Sequence, residues 1–452
     1  MTDAFHLPAL PDIATEQRGG LRFACLTPEL LTRQFQALGA ARDRHLAERP
    51  VGEIVEVVDR VAGRFQDPVD PLRRTAEAML PEATGFSPPM VGHVLDRMAA
   101  DWRAERSWAL LRAEFGDPGV LDSFRPRSNS PGLTRAWGPR LSFQVWSGNV
   151  PGVAVTALVR TLLVKSATFG KPAAGEPLLA ALFARGIAEV DPELGSCIAV
   201  AHWPGGDDAL TGAALTHADA VVVYGGAETV AALRARTPAR VRFLPYGHRL
   251  SFGVVGREAA HRDTAARAAG DVALFDQQGC VSPQLFYVEE GGEAAPQAWA
   301  QLLAEAMAEQ EAHLPRGAIS PGEAAAIQQL RGAAEFAPGG EVHTSSGGTA
   351  WTVLWDPDPA FAATCLNRTV RVKPVGDLLE VPRLVHQIAP LLQSVGVAAD
   401  PERSRRLVDA LGSAGASRVA PIGRMAWPPP EWHHDGRPPL GELVRWCDWE
   451  GE

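Results

Sequence analysis

The sequence predicts an α/β fold: two units built on parallel sheets, preceded by a helical N-terminal region. Three observations predict it. The chain has 452 residues, too many for one comfortable hydrophobic core, so two domains are expected. From about residue 140 short apolar runs alternate with helical segments, the pattern of a parallel sheet covered on both faces. Before that point apolar residues recur at helical spacing.

Residues 20 to about 120 read as helical. Thr27-Pro28-Glu29 is a helix start: a hydroxyl that caps, a proline suited to the first turn, then an acid. Leu30, Leu31, Phe35 and Leu38 follow on one helical face. Further helices are predicted over 51–65 and 90–115, and a loop over 116–139, where Pro118, Pro126, Pro131 and Pro139 fall. Strands are then predicted over 141–146, 167–170, 197–201, 220–224, 241–244 and 252–255. They alternate with helices over 153–163, 176–190, 208–215 and 227–236. A long helix over 257–275 leads to Cys280; strand 284–288, helix 296–310 and a second α/β unit run on to about 400. Helix 403–411, strand 419–422 and a proline-rich segment close the chain. The expected boundaries are 1–253 for the helical region with the first sheet, 254–400 for the unit carrying Cys280, and 401–452 for a segment closing that unit and its site.

Composition excludes several classes. The net charge is -10, from 43 basic and 53 acidic residues, and no basic stripe suits nucleic acid. Residues 1–20 mix acids and prolines, unlike a signal peptide. No run of about 18 apolar residues is available to span a membrane. The five cysteines are odd in number and widely spaced, which argues against a disulfide framework and a CxxC metal site. No His or Cys spacing suggests zinc, so no metal is expected. The chain reads as cytoplasmic, with reduced thiols. Its basic residues are almost all arginine; only Lys165, Lys171 and Lys373 are lysine.

Five places carry chemistry. Cys280 follows Gly279 just beyond a long helix; a glycine there permits a tight turn that presents the sulfur to a cleft, although buried structural thiols are the commoner case. Ser147-Gly148-Asn149-Val150-Pro151-Gly152 lies between a strand and a helix, at the strand end where parallel sheets bind ligands. An Asn149 amide there suits an oxyanion; an ordinary turn uses the same residue types. Lys171 ends a strand, as a ribose or phosphate contact or a solvated side chain. Gly225-Gly226 joins a strand to a helix, where a diphosphate can approach helix N–H groups or the helix simply packs on the sheet. His434-Asp435-Gly436 lies in the C-terminal loop, either in the site or in a structural turn.

In this order the motifs resemble the aldehyde dehydrogenase superfamily, and within it the Lux-type acyl-CoA reductase family of bacterial bioluminescence. Gly148-Asn149-Val150-Pro151, Lys171, the segment 199–204, His217-Ala218-Asp219, Gly225-Gly226, the segment 271–280 and His434-Asp435-Gly436 carry the likeness. The resemblance implies two Rossmann-like α/β domains with an active site in the crevice between them, the first binding a dinucleotide. It implies that Cys280 is the nucleophile and Asn149 an oxyanion donor. Lys171, Gly225, Gly226 and Ser147 then face the cofactor, and Gln278 and His434 line the site. Aldehyde-oxidising members carry a glutamate base where this chain has Leu244-Pro245-Tyr246-Gly247-His248-Arg249. Without it the acyl-enzyme is protected from water and exchanges with another thiol. NAD-preferring members place a glutamate three residues after the lysine; here that position is Ala174, which leaves room for a 2′-phosphate, with Glu176 nearby as the other candidate acid. The expectation is NADPH-dependent reduction of an acyl-CoA or carrier thioester to the aldehyde, in a homo-oligomer with an acyl-protein synthetase as partner. The alternatives are an NAD(P)-dependent aldehyde dehydrogenase and a non-catalytic subunit of an acyl-transfer complex.

Overall fold

The computed structural model describes residues 1–128 and 130–451. Its N-terminal region contains the helices Pro28–His45, Val51–Gln66, Pro71–Thr84, Pro88–Asp101 and Ala104–Phe115. Thr27 caps the first, its hydroxyl accepting the Leu30 N–H at 3.3 Å. The single helix expected over 90–115 is two. The chain turns at Trp102-Arg103, where the indole is buried against Phe65 and Phe183 and donates to Thr156 Oγ1 at 3.0 Å. Arg103 takes an extended conformation and binds Asp59. The expected loop over 116–139 contains strand Leu133–Trp137, which pairs with Arg445–Trp449 from the far end of the chain. No local pattern could announce that partner.

The first large sheet has five parallel strands. In spatial order they are Arg242–Tyr246, Ala220–Tyr224, Leu141–Val145, Ala167–Lys171 and Ile198–Val200. The order reverses between Leu141–Val145 and Ala220–Tyr224, so a crevice opens beyond their carboxyl ends, the usual ligand site of such sheets. Four of the strands are fully buried, which explains their continuous apolar runs; the edge strand Arg242–Tyr246 is only partly so. Helix Leu179–Val190 starts later than expected because Glu176 folds back to accept the Leu178 and Leu179 N–H groups at 3.0 and 2.8 Å.

The second large sheet has seven strands, parallel except for the edge strand Glu341–Thr344. Its central strand is Pro283–Glu289, flanked by Thr369–Val375 and Leu250–Val255; Leu392–Ala398 lies beyond the latter, and Arg418–Pro421 forms the other edge. The long helix expected over 257–275 is a short turn, Arg257–Ala259, followed by helix Arg262–Ala273. Helix Pro321–Glu335 was not anticipated, although Ser320 and Glu323 form a capping box readable in sequence. Among the described residues no helix is long and apolar enough to cross a membrane, and no group of side chains could hold a metal ion.

Candidate active site

Three consecutive residues after helix Arg262–Ala273 have left-handed backbone: Phe275, Asp276 and Gln277, with φ of 55°, 49° and 65°. Such conformations cost about 1–3 kcal/mol each for residues with a β-carbon and persist only where surroundings enforce them. Here a second left-handed triplet, Leu366-Asn367-Arg368, with φ of 61°, 54° and 60°, clasps the first. The buried Arg368 guanidinium pairs with Asp276 at 2.7 Å. Gln277 exchanges two hydrogen bonds with the Thr369 backbone, both 2.9 Å, and Gln278 Nε2 donates to Asn367 Oδ1 at 2.9 Å. The clasp fixes the turn that ends at Cys280.

Cys280 is partly buried. Its carbonyl accepts the Ser251 hydroxyl at 2.7 Å, and that hydroxyl accepts the Ser394 N–H at 3.1 Å, which ties the turn to the second sheet. Gln393 Nε2 stands 3.9 Å from the sulfur. Burial, and secondly the Asp435 carboxylate, push the thiol up to about 12, so it is protonated at rest.

Two clefts meet at this sulfur. One, of about 820 Å³, is mainly apolar: Met98, Trp102, Val150, Val153, Phe275 and Trp427 with Pro428-Pro429-Pro430 line it. The other, of about 980 Å³, is the more polar of the two and runs along the switch point of the first sheet, past Ser147, Gly148, Asn149, Gly225, Gly226 and Gln278. Cys280, Gly279, Val150, Val153, Tyr224 and His434 border both.

Asn149 crosses from the first sheet to the Cys280 turn: its amide donates to the Gln278 carbonyl at 2.7 Å. Only one of its two N–H groups is used there. Gly148 is required where it is, because a β-carbon would stand 2.9 Å from the Glu176 nitrogen. Gly225 bonds through its N–H to the Tyr246 carbonyl at 3.1 Å, and a β-carbon on Gly226 would meet nothing within 4 Å, so the approach to helix Ala227–Arg236 is open.

Lys171 is buried, its ammonium 5.4 Å from the Trp203 ring, with no ion pair among the described residues. Burial lowers its pKa. Glu176 is occupied as the helix cap, and burial raises its carboxyl to about 7. Ala174 instead borders a separate cavity of about 670 Å³, with Arg18 and His202 across it.

His434 sits among Trp432, Tyr246 and Tyr224, with ring centroids 4.7, 4.6 and 5.9 Å away. Burial, then Arg160, Arg437 and Arg249, hold it well below the usual histidine range. The fold therefore brings Cys280, Asn149, Ser147, Gln278, Gly225, Gly226 and His434 around one polar cleft and leaves Lys171 outside its lining. Sequence reasoning missed Gln277, Arg368, Asn367, Gln393 and Ser251, whose positions show only once distant segments meet. It also missed the aromatic and proline wall of the apolar cleft, for which Trp427-Pro428-Pro429-Pro430 was a signal.

The family model described as Acyl-CoA reductase (LuxC) matches residues 46–446. A long-chain acyl-protein thioester reductase of Aliivibrio fischeri is 27% identical over 413 residues, covering 88% of this chain and 82% of that protein. That of Vibrio harveyi is 24% identical over 416 residues, covering 90% and 84%. Among solved structures, a salicylaldehyde dehydrogenase from Pseudomonas putida G7, complexed with salicylaldehyde, matches with a TM-score of 0.77 at 17% identity, covering 100% of this chain and 98% of that one. A NAD-dependent benzaldehyde dehydrogenase from Corynebacterium glutamicum matches with a TM-score of 0.74 at 14% identity, covering 98% and 95%. The fold is that of the aldehyde dehydrogenases.

Proposed function

Because the chain belongs to the acyl-CoA reductase (LuxC) family, we propose that it reduces an acyl thioester to the aldehyde with NADPH, through an acyl group carried on Cys280. The observation that carries this reading is the meeting of two clefts at one sulfur. The apolar cleft suits an acyl chain, and the polar one, at the switch point of a parallel sheet, suits a dinucleotide.

Cys280 Sγ attacks the thioester carbonyl, and the carrier thiol departs. The carbonyl oxygen gains charge as the bond forms, and the free N–H of the Asn149 amide and the Cys280 backbone N–H are its donors. One such donor is worth about 2.7–4 kcal/mol. NADPH, when bound, supplies the hydride. The reduced carbon then expels the Cys280 thiolate and leaves as aldehyde.

The residues fit that cofactor. Ser147, Gly225 and Gly226 line the polar cleft, and Lys171, beyond that lining and without an ion pair among the described residues, suits the adenosine ribose or its 2′-phosphate. Glu176 is turned into its helix cap, so no carboxylate at position 174 or 176 repels that phosphate. The stretch Leu244–Arg249 holds no carboxylate to activate water, which favours reduction over oxidation to the acid. The donor is acyl-CoA or a carrier-bound acyl group, the named relatives point to an acyl-protein partner, and the superfamily fold points to a homo-oligomer. With all five cysteines free, we assign the protein to the cytoplasm.

Incubation with a panel of acyl-CoA thioesters and NADPH tests the reading. Aldehyde should form at the expense of NADPH. Failure with every chain length, or free acid accumulating from aldehyde without CoA, would reject it.

A further inference from the structure

The thiol of Cys280 needs a proton acceptor when it attacks; the stretch that carries a glutamate in aldehyde-oxidising relatives holds no carboxylate here, and its one imidazole, His248, borders the polar cleft but not the apolar one. We propose that His434 is that acceptor, a catalytic residue, and that Asp435 positions it and stabilises its charged form. The inference rests on the acyl-thioester reading above.

Three observations carry it. His434 is the only histidine bordering both clefts with Cys280 among the described residues. Its ring is held by the three aromatic neighbours already described. Asp435, whose side chain is 1% exposed, leaves Oδ1 without any hydrogen bond, 3.7 Å from His434 Nε2. A buried, unsatisfied carboxylate oxygen is costly. Here it faces a ring nitrogen whose N–H becomes a strong donor once the imidazole is charged.

The charges around the ring are arranged for a transient proton. Arg160 on helix Val153–Leu163, Arg249 after strand Arg242–Tyr246, and Arg437 on the same loop oppose the imidazolium. Arg418, from strand Arg418–Pro421, lies 5.8 Å from the Trp432 ring that stacks on His434. Tyr224 and Tyr246 pack beside the ring, and burial raises both phenols, so neither is an alternative base. Asp435 is the carboxylate that favours the charged ring, and Arg249 fixes it through Oδ2 at 2.9 Å. At rest thiol and imidazole are both uncharged, so the proton moves only as the thioester is attacked. The imidazolium and the oxyanion then form together and attract one another.

The balance is complete. The S–H proton passes to the imidazole as the Cys280 S–C bond forms. The acyl C–S bond to the carrier breaks, and the imidazolium gives that proton to the departing thiolate. After hydride addition the reduced carbon carries an alkoxide. Its C–S bond breaks as the carbonyl re-forms, and the released Cys280 thiolate takes a proton from water through the same ring.

The test uses the full chain and single-turnover acylation of Cys280 by acyl-CoA without NADPH, followed by mass spectrometry across pH. His434→Gln should lower the rate by about 10²–10⁴-fold, the range of general base catalysis. It should also remove the acidic limb of the wild-type profile, which lies below the ordinary histidine pKa. His434→Ala should regain rate with added imidazole. Asp435→Asn, which tolerates the left-handed backbone at that position (φ 54°), should fall between wild type and His434→Gln. NADPH binding and melting temperature should hold in the His434 variants. A His434→Gln rate within threefold of wild type, or a slowed His434→Ala that imidazole does not restore, overturns the proposal. If wild-type Cys280 takes up no acyl group from any thioester, the acyl-transfer reading falls instead. Iodoacetamide alkylation of Cys280, slowed about tenfold or more by His434→Gln if the ring takes the thiol proton and unchanged if it does not, then decides the proton transfer alone.

Discussion

The two halves of the crevice are built differently. On the first sheet, Asn149, Gly225 and Gly226 follow directly from buried strands, and each turn is shaped by its own short-range sequence. On the other side, Cys280 ends a turn that is unstable by itself. It is held by two left-handed triplets and by an Arg368–Asp276 pair that joins residues 92 positions apart. The first half is a scaffold that local pattern specifies, and the second is a mount for the proposed nucleophile that only the folded chain specifies. Changes on the first side should therefore alter binding or turnover by graded amounts. Changes on the second should remove chemistry or unfold the mount.

The largest expected effect tests that division. Cys280→Ala should abolish acylation and reduction, measured by mass spectrometry and aldehyde formation, while NADPH titrates the protein as before. Alanine at Cys25, Cys197, Cys365 or Cys447 should leave turnover intact. Retained turnover without the Cys280 thiol would break the assignment.

The mount itself comes next. Arg368→Ala strands Asp276 and Glu311, both bound to the buried guanidinium. Breaking one partner of a buried pair costs about 3–5 kcal/mol, and urea unfolding should show a loss of that order. A loss under 1 kcal/mol would mean that the clasp does not hold the turn.

Asn149→Ala joins the two halves, since its amide reaches from the first sheet to the Gln278 carbonyl. Loss of an oxyanion donor should lower turnover by about 10²–10³-fold with NADPH affinity nearly unchanged. A fall of less than threefold would make Asn149 a tether only.

The same contrast explains what was legible in the sequence. All five strands of the first sheet appear as apolar runs within a few residues of their true bounds, because buried parallel strands need no polar alternation. Asn149, Cys280 and Lys171 stand out because few residue types do their chemistry and because the motif order matches a family. Gln277, Arg368 and Ser251 were invisible: each acts through a partner far along the chain, and glutamine, arginine and serine are common on any surface. The left-handed residues were equally hidden, since Phe275 and Leu366 are poor candidates for positive φ. Spacing leaves Glu176 open as a second acid for the ribose, because it cannot tell an acid that faces a cleft from one that turns back to cap its helix.

That cap gives a pH signature on the scaffold side. Burial raises the folded Glu176 carboxyl from 4.5 to about 7, so the folded state binds a proton that the unfolded state has lost between those values. The stabilisation is fully present below pH 4.5 and is lost as pH rises through about 7. Glu176→Gln keeps a side-chain oxygen for the Leu178 and Leu179 N–H groups and cannot ionise. The stability difference, variant minus wild type, should therefore grow by up to about 3 kcal/mol from acid to neutral pH. A difference flat with pH would show that the folded carboxyl titrates as it does in the unfolded chain.

The smallest effect concerns the cofactor. Lys171 is a buried ammonium whose pKa burial lowers and which no carboxylate among the described residues pairs with. A bound 2′-phosphate would supply the missing opposite charge and draw the ammonium back toward its ordinary range. Ala174 offers no carboxylate to repel that phosphate, and Glu176 is engaged with its own helix. A charge-assisted hydrogen bond nets about 1.5–3 kcal/mol, so NADPH should be preferred over NADH by about tenfold to a hundredfold in kcat/KM. Lys171→Ala should erase most of that preference by raising the KM for NADPH, leaving NADH nearly unaffected and kcat with saturating NADPH unchanged. Because Lys171 is proposed to bind and not to react, this split between KM and kcat is its mark. A Lys171 variant that lost kcat with both cofactors would place the lysine in the chemistry and erase the division between the two halves, whereas equal use of NADH and NADPH by the wild type would remove the 2′-phosphate from Lys171.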